Sequence, residues 1–336
     1  MNEDPTIQAA IATAILHQID CEKGEGIALA ERYGVRGYPT FKMVDGEGVE
    51  LERWIGYDGP EAWAALVAAG VADRRTLEAK AEAYQTQPTA LLARSLGNAA
   101  ATEYDWKGSV DYFRAAADLD PASAADYEES IVSYTFYGTR GDEPAFGLDD
   151  LTAAARPAFD REGQTPQGKL MLASMVTTVA RGAGRPEVAV PYLRDAMAAT
   201  AGTTDAELAK SRARLEVDHA LLVENDSAKA VTLKKGTMPE GWLDDANRLN
   251  SFAWWCFENQ VNLQEAEQMA LKGVELAQSD EQRASILDTA AEIGNLLGNC
   301  DEAIARITRA IALDPENSFY KEQLTKFEQA KAEQKG

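Results

Sequence analysis

Three cysteines, two histidines and one glycine-rich loop are the residues whose types could carry chemistry, and their spacing limits what each can do. Cys21, Cys256 and Cys300 lie too far apart for a Cys-x-x-Cys redox pair or a zinc site. Cys21 is the candidate redox thiol, because it directly follows an apolar run at 13–20. A reactive thiolate needs positive charge nearby, and Asp20 and Glu22 oppose it with only Lys23 in favour. A half-buried packing residue is the plainer expectation for Cys21. His17 and His219 have no companion ligands in sequence, so neither a metal nor another cofactor is expected. The stretch Gly163 to Gly168-Lys169 has the G-x-x-x-x-G-K spacing of a phosphate loop. Leu170 stands where a metal-binding hydroxyl would be needed, and a predicted helix precedes the loop, so a turn is expected there.

The elements that must position these residues divide the chain in two. The net charge of -22 is spread along 336 residues, which excludes the clustered cations that bind nucleic acid. No apolar run reaches the ~20 residues of a membrane span. Residues 1–25 lack a basic start followed by an apolar core, so the chain as written is expected to be cytoplasmic. Near the start, Asp4-Pro5 predicts a capped helix over 6–11. Residues 13–19 alternate as a strand does, and 22–32 predict a helix ended by Gly34. Strands are predicted at 40–44 and 49–55 around Asp45-Gly46-Glu47-Gly48. A helix is predicted after Gly59-Pro60, with Trp63, Leu66 and Val67 on its apolar face.

The turn Gly37-Tyr38-Pro39-Thr40-Phe41 resembles the cis-proline loop of the thioredoxin family, as do its flanks from Ile19 to Tyr57. On this resemblance residues 1–72 form a partial thioredoxin-like α/β domain, from the third strand onward. The resemblance implies a bacterial thiol–disulfide oxidoreductase in redox homeostasis, with Tyr38, Pro39 and Thr40 pairing their backbone with the substrate chain. The family's Cys-x-x-Cys is absent, so the implied activity is not carried over. The missing central strand would leave open edges at 13–19 and 40–44. Met1 is therefore expected to be an internal methionine of a longer product, periplasmic or secreted if a leader precedes it. A degenerate domain is the alternative.

Residues 73–336 repeat at roughly the 34-residue period of tetratricopeptide domains. The clear units are 90–123 and 284–317. In the first, Leu96-Gly97, Trp106, Phe113, Ala116 and Asp120-Pro121 match the pattern. In the second, Gly298-Asn299, Ala303, Ile307, Ala310 and Asp314-Pro315 match it. Weaker units are placed at 126–160, 169–199, 206–235 and 246–277, and a capping helix at 318–331. Pro191 is expected to bend the second helix of its unit, and Gly273 replaces a usual alanine. The resemblance implies protein or peptide partners held in the groove of an all-α solenoid that folds without the N-terminal part. Arg94 and Asn98 share a helix face and match the start of a carboxylate clamp, whose later cations are not at the matching offsets. Trp255, in the aromatic run 250–257, is a further candidate groove contact, although most of that run is expected to be core. The sequence thus predicts protein binding alone: a thioredoxin-family protein without its thiols, or alternatively a non-catalytic repeat scaffold with a vestigial redox fold. It does not fix an oligomeric state.

Overall fold

The computed structural model describes residues 4–333. Asp4 accepts hydrogen bonds from the amides of Thr6 and Ile7 at 2.8 and 3.3 Å and so starts α1 (Pro5–Ile11). α2 (Glu25–Arg32) follows Gly24, whose φ of 56° suits glycine. β1 (Thr40–Val44) and β2 (Glu50–Ile55) pair antiparallel, with Phe41 opposite Trp54 and a register shift between Met43 and Val44. Asp45 closes the hairpin by accepting from the amides of Glu47 and Val49, both at 2.9 Å, and these bonds hold its carboxyl below the usual range. α3 (Pro60–Ala72) covers one face. Ile7, Trp54, Trp63 and Val67 make a small core there, with the Phe41 ring stacked 5.3 Å from Trp54. The Tyr38–Pro39 bond is cis.

Two expectations fail in this stretch. Residues 13–19 form no strand: among the described residues the sheet consists of β1 and β2 alone, and Ile15 is 99% exposed. The predicted helix at 22–32 starts three residues late. Asp20 ties residues 20–23 into a turn, accepting from Glu22 N at 3.1 Å through its carboxylate and from Lys23 N at 3.3 Å through its carbonyl. Among the described residues the α/β part is thus a two-stranded hairpin with three helices.

The rest is helical: α4 (Leu77–Thr86), α5 (Ala90–Thr102), α6 (Trp106–Leu119), α7 (Ala124–Tyr137), α8 (Leu148–Asp160), α9 (Pro166–Gly182) and α10 (Val190–Ala199). They continue as α11 (Ala206–Ala213), α12 (Glu216–Leu222), α13 (Ser227–Gly236), α14 (Ala246–Glu258), α15 (Leu263–Leu276), α16 (Asp280–Leu296), α17 (Cys300–Leu313) and α18 (Ser318–Glu333). The chain divides into two compact units between Tyr192 and Leu193, inside α10. The 72/73 boundary read from the sequence lies within the first unit. There Lys80 on α4 and Ser95 on α5 both bond to Glu52 on β2.

In the first unit, α5 and α6 form a hairpin at very close approach. A Cβ on Gly97 would stand 2.8 Å from the Phe113 ring, and Ser109 Oγ donates to the Gly97 carbonyl at 2.9 Å. Pro191 does not bend a helix as expected. A 3-10 turn at Pro186–Ala189 precedes it, and Pro191 falls in the first turn of α10, where its missing N–H has no helical partner to lose.

The second unit departs from the sequence reading at 206–235, where three short helices replace a pair. The break at 214–215 carries Leu215 inward to 4% exposure. Beyond it, α14/α15 and α16/α17 are regular hairpins. Gly298 at φ 84° makes the second turn, and Ala303, Ile307 and Ala310 bury one stripe of α17. Gly273 lies where a Cβ would press on the Ala246 carbonyl and Ile286 at 3.3 Å, so alanine would be tight there. α18 closes the unit with Phe327 and Tyr320 packed into the same core.

Candidate functional site

In the second unit α14 and α16, the first helices of successive hairpins, and the closing helix α18 lie side by side. The polar residues they carry form one continuous stripe. Between α14 and α16 is a cleft of about 400 Å³, lined by Asn247, Asn250, Gln278, Ser279, Gln282, Ser285 and Ile286. Apart from Ile286 every lining side chain is an amide or a hydroxyl. Gln282 is fixed at both ends: its Nε2 donates to Asn247 Oδ1, and its Oε1 accepts from Gln278 N, each at 2.8 Å. Asn250 Oδ1 is buried and has no hydrogen-bond partner.

One turn further along α16 the stripe becomes ionic. Glu292, 4% exposed, accepts from Gln323 Nε2 at 2.7 Å and from Lys326 Nζ at 2.7 and 2.9 Å, both on α18. Asp288, 8% exposed, has an Oδ1 with no partner. Burial, and then the charge of Glu292, push its pKa up to about 7, against a smaller opposing pull from Lys326. Burial and the charges of Asp288 and Asp314 likewise raise that of Tyr320. The stripe therefore offers two buried oxygen acceptors, on Asn250 and Asp288, that lack donors.

A stability effect follows from the sign of the Asp288 shift. A carboxyl whose pKa is higher folded than unfolded contributes most below its unfolded value of 3.8 and loses that contribution as pH rises to about 7. The amide that replaces it in Asp288→Asn does not titrate. The melting temperature of the variant should exceed wild type by a margin that widens from about pH 4.5 to 7 and stays flat to about pH 8.5. Parallel thermal melts check this, and a margin that narrows over that range contradicts the assignment.

The residues singled out in the sequence are dispersed. Arg94 and Asn98 are on α5 in the first unit. Asn98 is 6% exposed, and Arg94 has a buried Nε without a partner and lies close enough to Tyr127 on α7 to pull down its pKa against the larger raising effect of burial. Trp255 is on α14 in the second unit, stacked on Phe252 at 6.3 Å with Lys234 Nζ 5.6 Å from its ring centre. Its neighbour Trp254 is the more exposed ring. Tyr38 is 60% exposed, the Pro39 carbonyl accepts from Gly56 N at 2.9 Å, and Thr40 Oγ1 donates to the Gly37 carbonyl at 2.6 Å. Cys21 is half-buried in the turn after Asp20, and its nearest polar contact is the Ile19 carbonyl at 4.0 Å. The Gly163 loop joins α8 to α9, and Gln164 fills it by bonding the Ala158 carbonyl and the Thr165 amide.

Asn247, Asn250, Gln282, Asp288 and Glu292 escaped the sequence reading. For the α16 members the signal is polar residues at i, i+3 and i+7 (Ser285, Asp288, Glu292) within the run 284–294, which is apolar apart from these and Thr289. Among the described residues no group of three or more His, Cys, Asp or Glu is placed to hold a metal ion, and no helix is long and apolar enough to cross a membrane.

No protein-family model matches the chain, and no curated protein matches it. Fifteen solved chains match in structure. One is YrrB, a TPR protein with an unusual peptide-binding site. It is 16% identical with a TM-score of 0.34, and the match covers 74% of this chain and 98% of that one.

Proposed function

We propose that this is a protein-binding helical-repeat protein whose second unit holds an extended peptide segment along α14, α16 and α18. The observation that supports it most is the buried Asn250 Oδ1, an acceptor without a donor in a cleft walled by amides and hydroxyls. A peptide main chain in extended form presents N–H and C=O groups in alternation, which such side chains can satisfy in pairs. The test is a cellulose-bound array of random-sequence peptides, with solution binding of the best of them by anisotropy. Asn250→Ala removes one hydrogen bond to the ligand and should weaken binding about tenfold, equivalent to ~1.5 kcal/mol. Affinity unchanged in Asn250→Ala would move the site out of this cleft.

The thioredoxin-like resemblance supplies no second reading, because the chain has no thiol pair to act through. Burial and the nearby Glu265 push the Cys256 thiol up to about 12, and Cys300 is 3% exposed beside Asn295 Oδ1 at 3.5 Å. A thiol held protonated, as Cys256 is, or covered, as Cys300 is, is a poor nucleophile. The purified chain is expected to show no catalytic turnover in an insulin-reduction assay. Turnover abolished by Cys21→Ser would restore the single-thiol chemistry.

A further inference from the structure

We propose that the Asp288 end of the groove is a subsite for a cationic group of the bound peptide, a lysine or arginine side chain or a free amino terminus, which would supply the donor that Asp288 lacks. This rests on the peptide-binding reading above and adds the chemistry of one position.

The charges around Asp288 do not balance. Two carboxylates, Asp288 and Glu292, stand one turn apart on the same face of α16, both more than nine-tenths buried. One cation reaches them, and Lys326 Nζ spends its bonds on both oxygens of Glu292. Gln323 also donates to Glu292, so both of these α18 donors serve one carboxylate. The other facing groups bring no cation. α18 adds Tyr320, an acid whose own proton is held more tightly than usual, and Asp314 precedes that helix as a further negative charge. α14 contributes the neutral Asn247 and Asn250 to the neighbouring cleft. Arg306 on α17 lies on the far side of α16, against Ala290 and Gly294, and pairs there with Glu267 on α15 at 2.6 Å. A buried carboxylate oxygen without a donor is costly, and a pocket with one carboxylate in excess favours a cation over a neutral or acidic side chain. Ser285, which lines the cleft, lies three residues before Asp288 on the same face of α16, so Asp288 stands one turn beyond the cleft wall.

The inference also sets how binding responds to pH. A cation stabilises the ionised carboxylate, so it must first displace the proton that burial favours. Above pH 7 the carboxylate is ready. At pH 6, a unit below its value of about 7, only about one molecule in ten is ionised, and the cation's advantage should fall about tenfold.

The probes are twelve-residue peptides of Gly, Ser, Asn and Thr, acetylated and amidated, with lysine, arginine, norleucine or glutamate at the centre. A fifth has norleucine at the centre and a free amino terminus. Binding to the full chain is read by anisotropy at pH 8 and pH 6. The lysine and arginine peptides are expected to bind at least tenfold tighter than norleucine at pH 8, and to lose about tenfold of that preference at pH 6. If the free amino terminus is what Asp288 takes, the fifth peptide gains and the internal cations do not. Asp288→Asn, nearly isosteric, should bind all five peptides alike at both pH values. Lysine preferred equally by wild type and Asp288→Asn, or no preference for any cation, overturns the subsite. If Asn250→Ala still weakens those same peptides, the groove reading survives that loss. If no peptide binds wild type at millimolar concentration, both fall together.

Discussion

Lys80→Met is expected to destabilise the first unit by about 3–5 kcal/mol, because it strands a buried carboxylate. Lys80 is 1% exposed, and its Nζ donates to the Leu51 carbonyl and to Glu52 Oε1, both at 2.7 Å. Ser95 Oγ completes the site with a 2.8 Å bond to Glu52 Oε2. Methionine keeps the length of the stem and removes the charge, so packing is retained while the Glu52 carboxylate stays buried with a hydroxyl alone for company. Removing one partner of such a pair costs far more than removing both. The triple variant Glu52→Leu/Lys80→Met/Ser95→Ala should return to within about 1 kcal/mol of wild type. Urea unfolding followed by circular dichroism reads both. A Lys80→Met loss below about 1 kcal/mol would mean that water reaches the pair. The same bonds bear on a cut at 72/73: a chain beginning there keeps Lys80 and Ser95 and loses Glu52, so the repeats would begin with a stranded cation and a bare face on α5.

What the sequence shows and what it hides divide by how far apart the deciding residues lie. Asp4-Pro5, the Asp45 hairpin and Gly298 act within five residues, and each is legible because a cap or turn is a local contest. Alternation at 13–19 states only which residues could share a strand face. Whether a strand forms is settled by pairing with a second strand, and among the described residues β1 and β2 pair only with each other. Lys80 and Glu52 are 28 residues apart, and nothing in either neighbourhood marks them as a pair. The groove residues are hidden for the same reason. Asn250 shares its cleft with Ser285 and Ile286 of α16, and Asp288 feels Lys326 of α18, each roughly 35 to 40 residues further along. Polar residues on a repeat helix read as solvated until the next repeat covers them. The aromatic run at 250–257 drew attention to Trp255, yet the acceptor without a donor sits at its first residue, Asn250.

Ala303→Leu should cost about 1–3 kcal/mol, while Glu302→Leu, one residue away, should stay within about ±0.5 kcal/mol. Ala303, Ile307 and Ala310 are each 0% exposed, in one core with Ala284, Leu287 and Ala291 of α16. Small residues on that stripe are what let two helices approach, and a leucine there must push them apart or leave its rotamer. Glu302 points the other way, with a side chain 63% exposed that pairs with Arg306 at 2.7 Å. That bond is a surface pair of small value, and Arg306 keeps its inner partner Glu267 when it is lost. The first unit repeats the experiment with a different small residue. Gly97→Ala places a Cβ 2.8 Å from the Phe113 ring, so α5 and α6 must separate, and a loss of about 1–3 kcal/mol is expected there too, larger than the helix-propensity gain of alanine over glycine. Thermal melts of the three variants decide the matter. Ala303→Leu as stable as Glu302→Leu would put the hairpin out of register. The placement of Asp288 would lose its support too, because Ala284 and Ala291, one turn to either side of it on α16, belong to the same hairpin core.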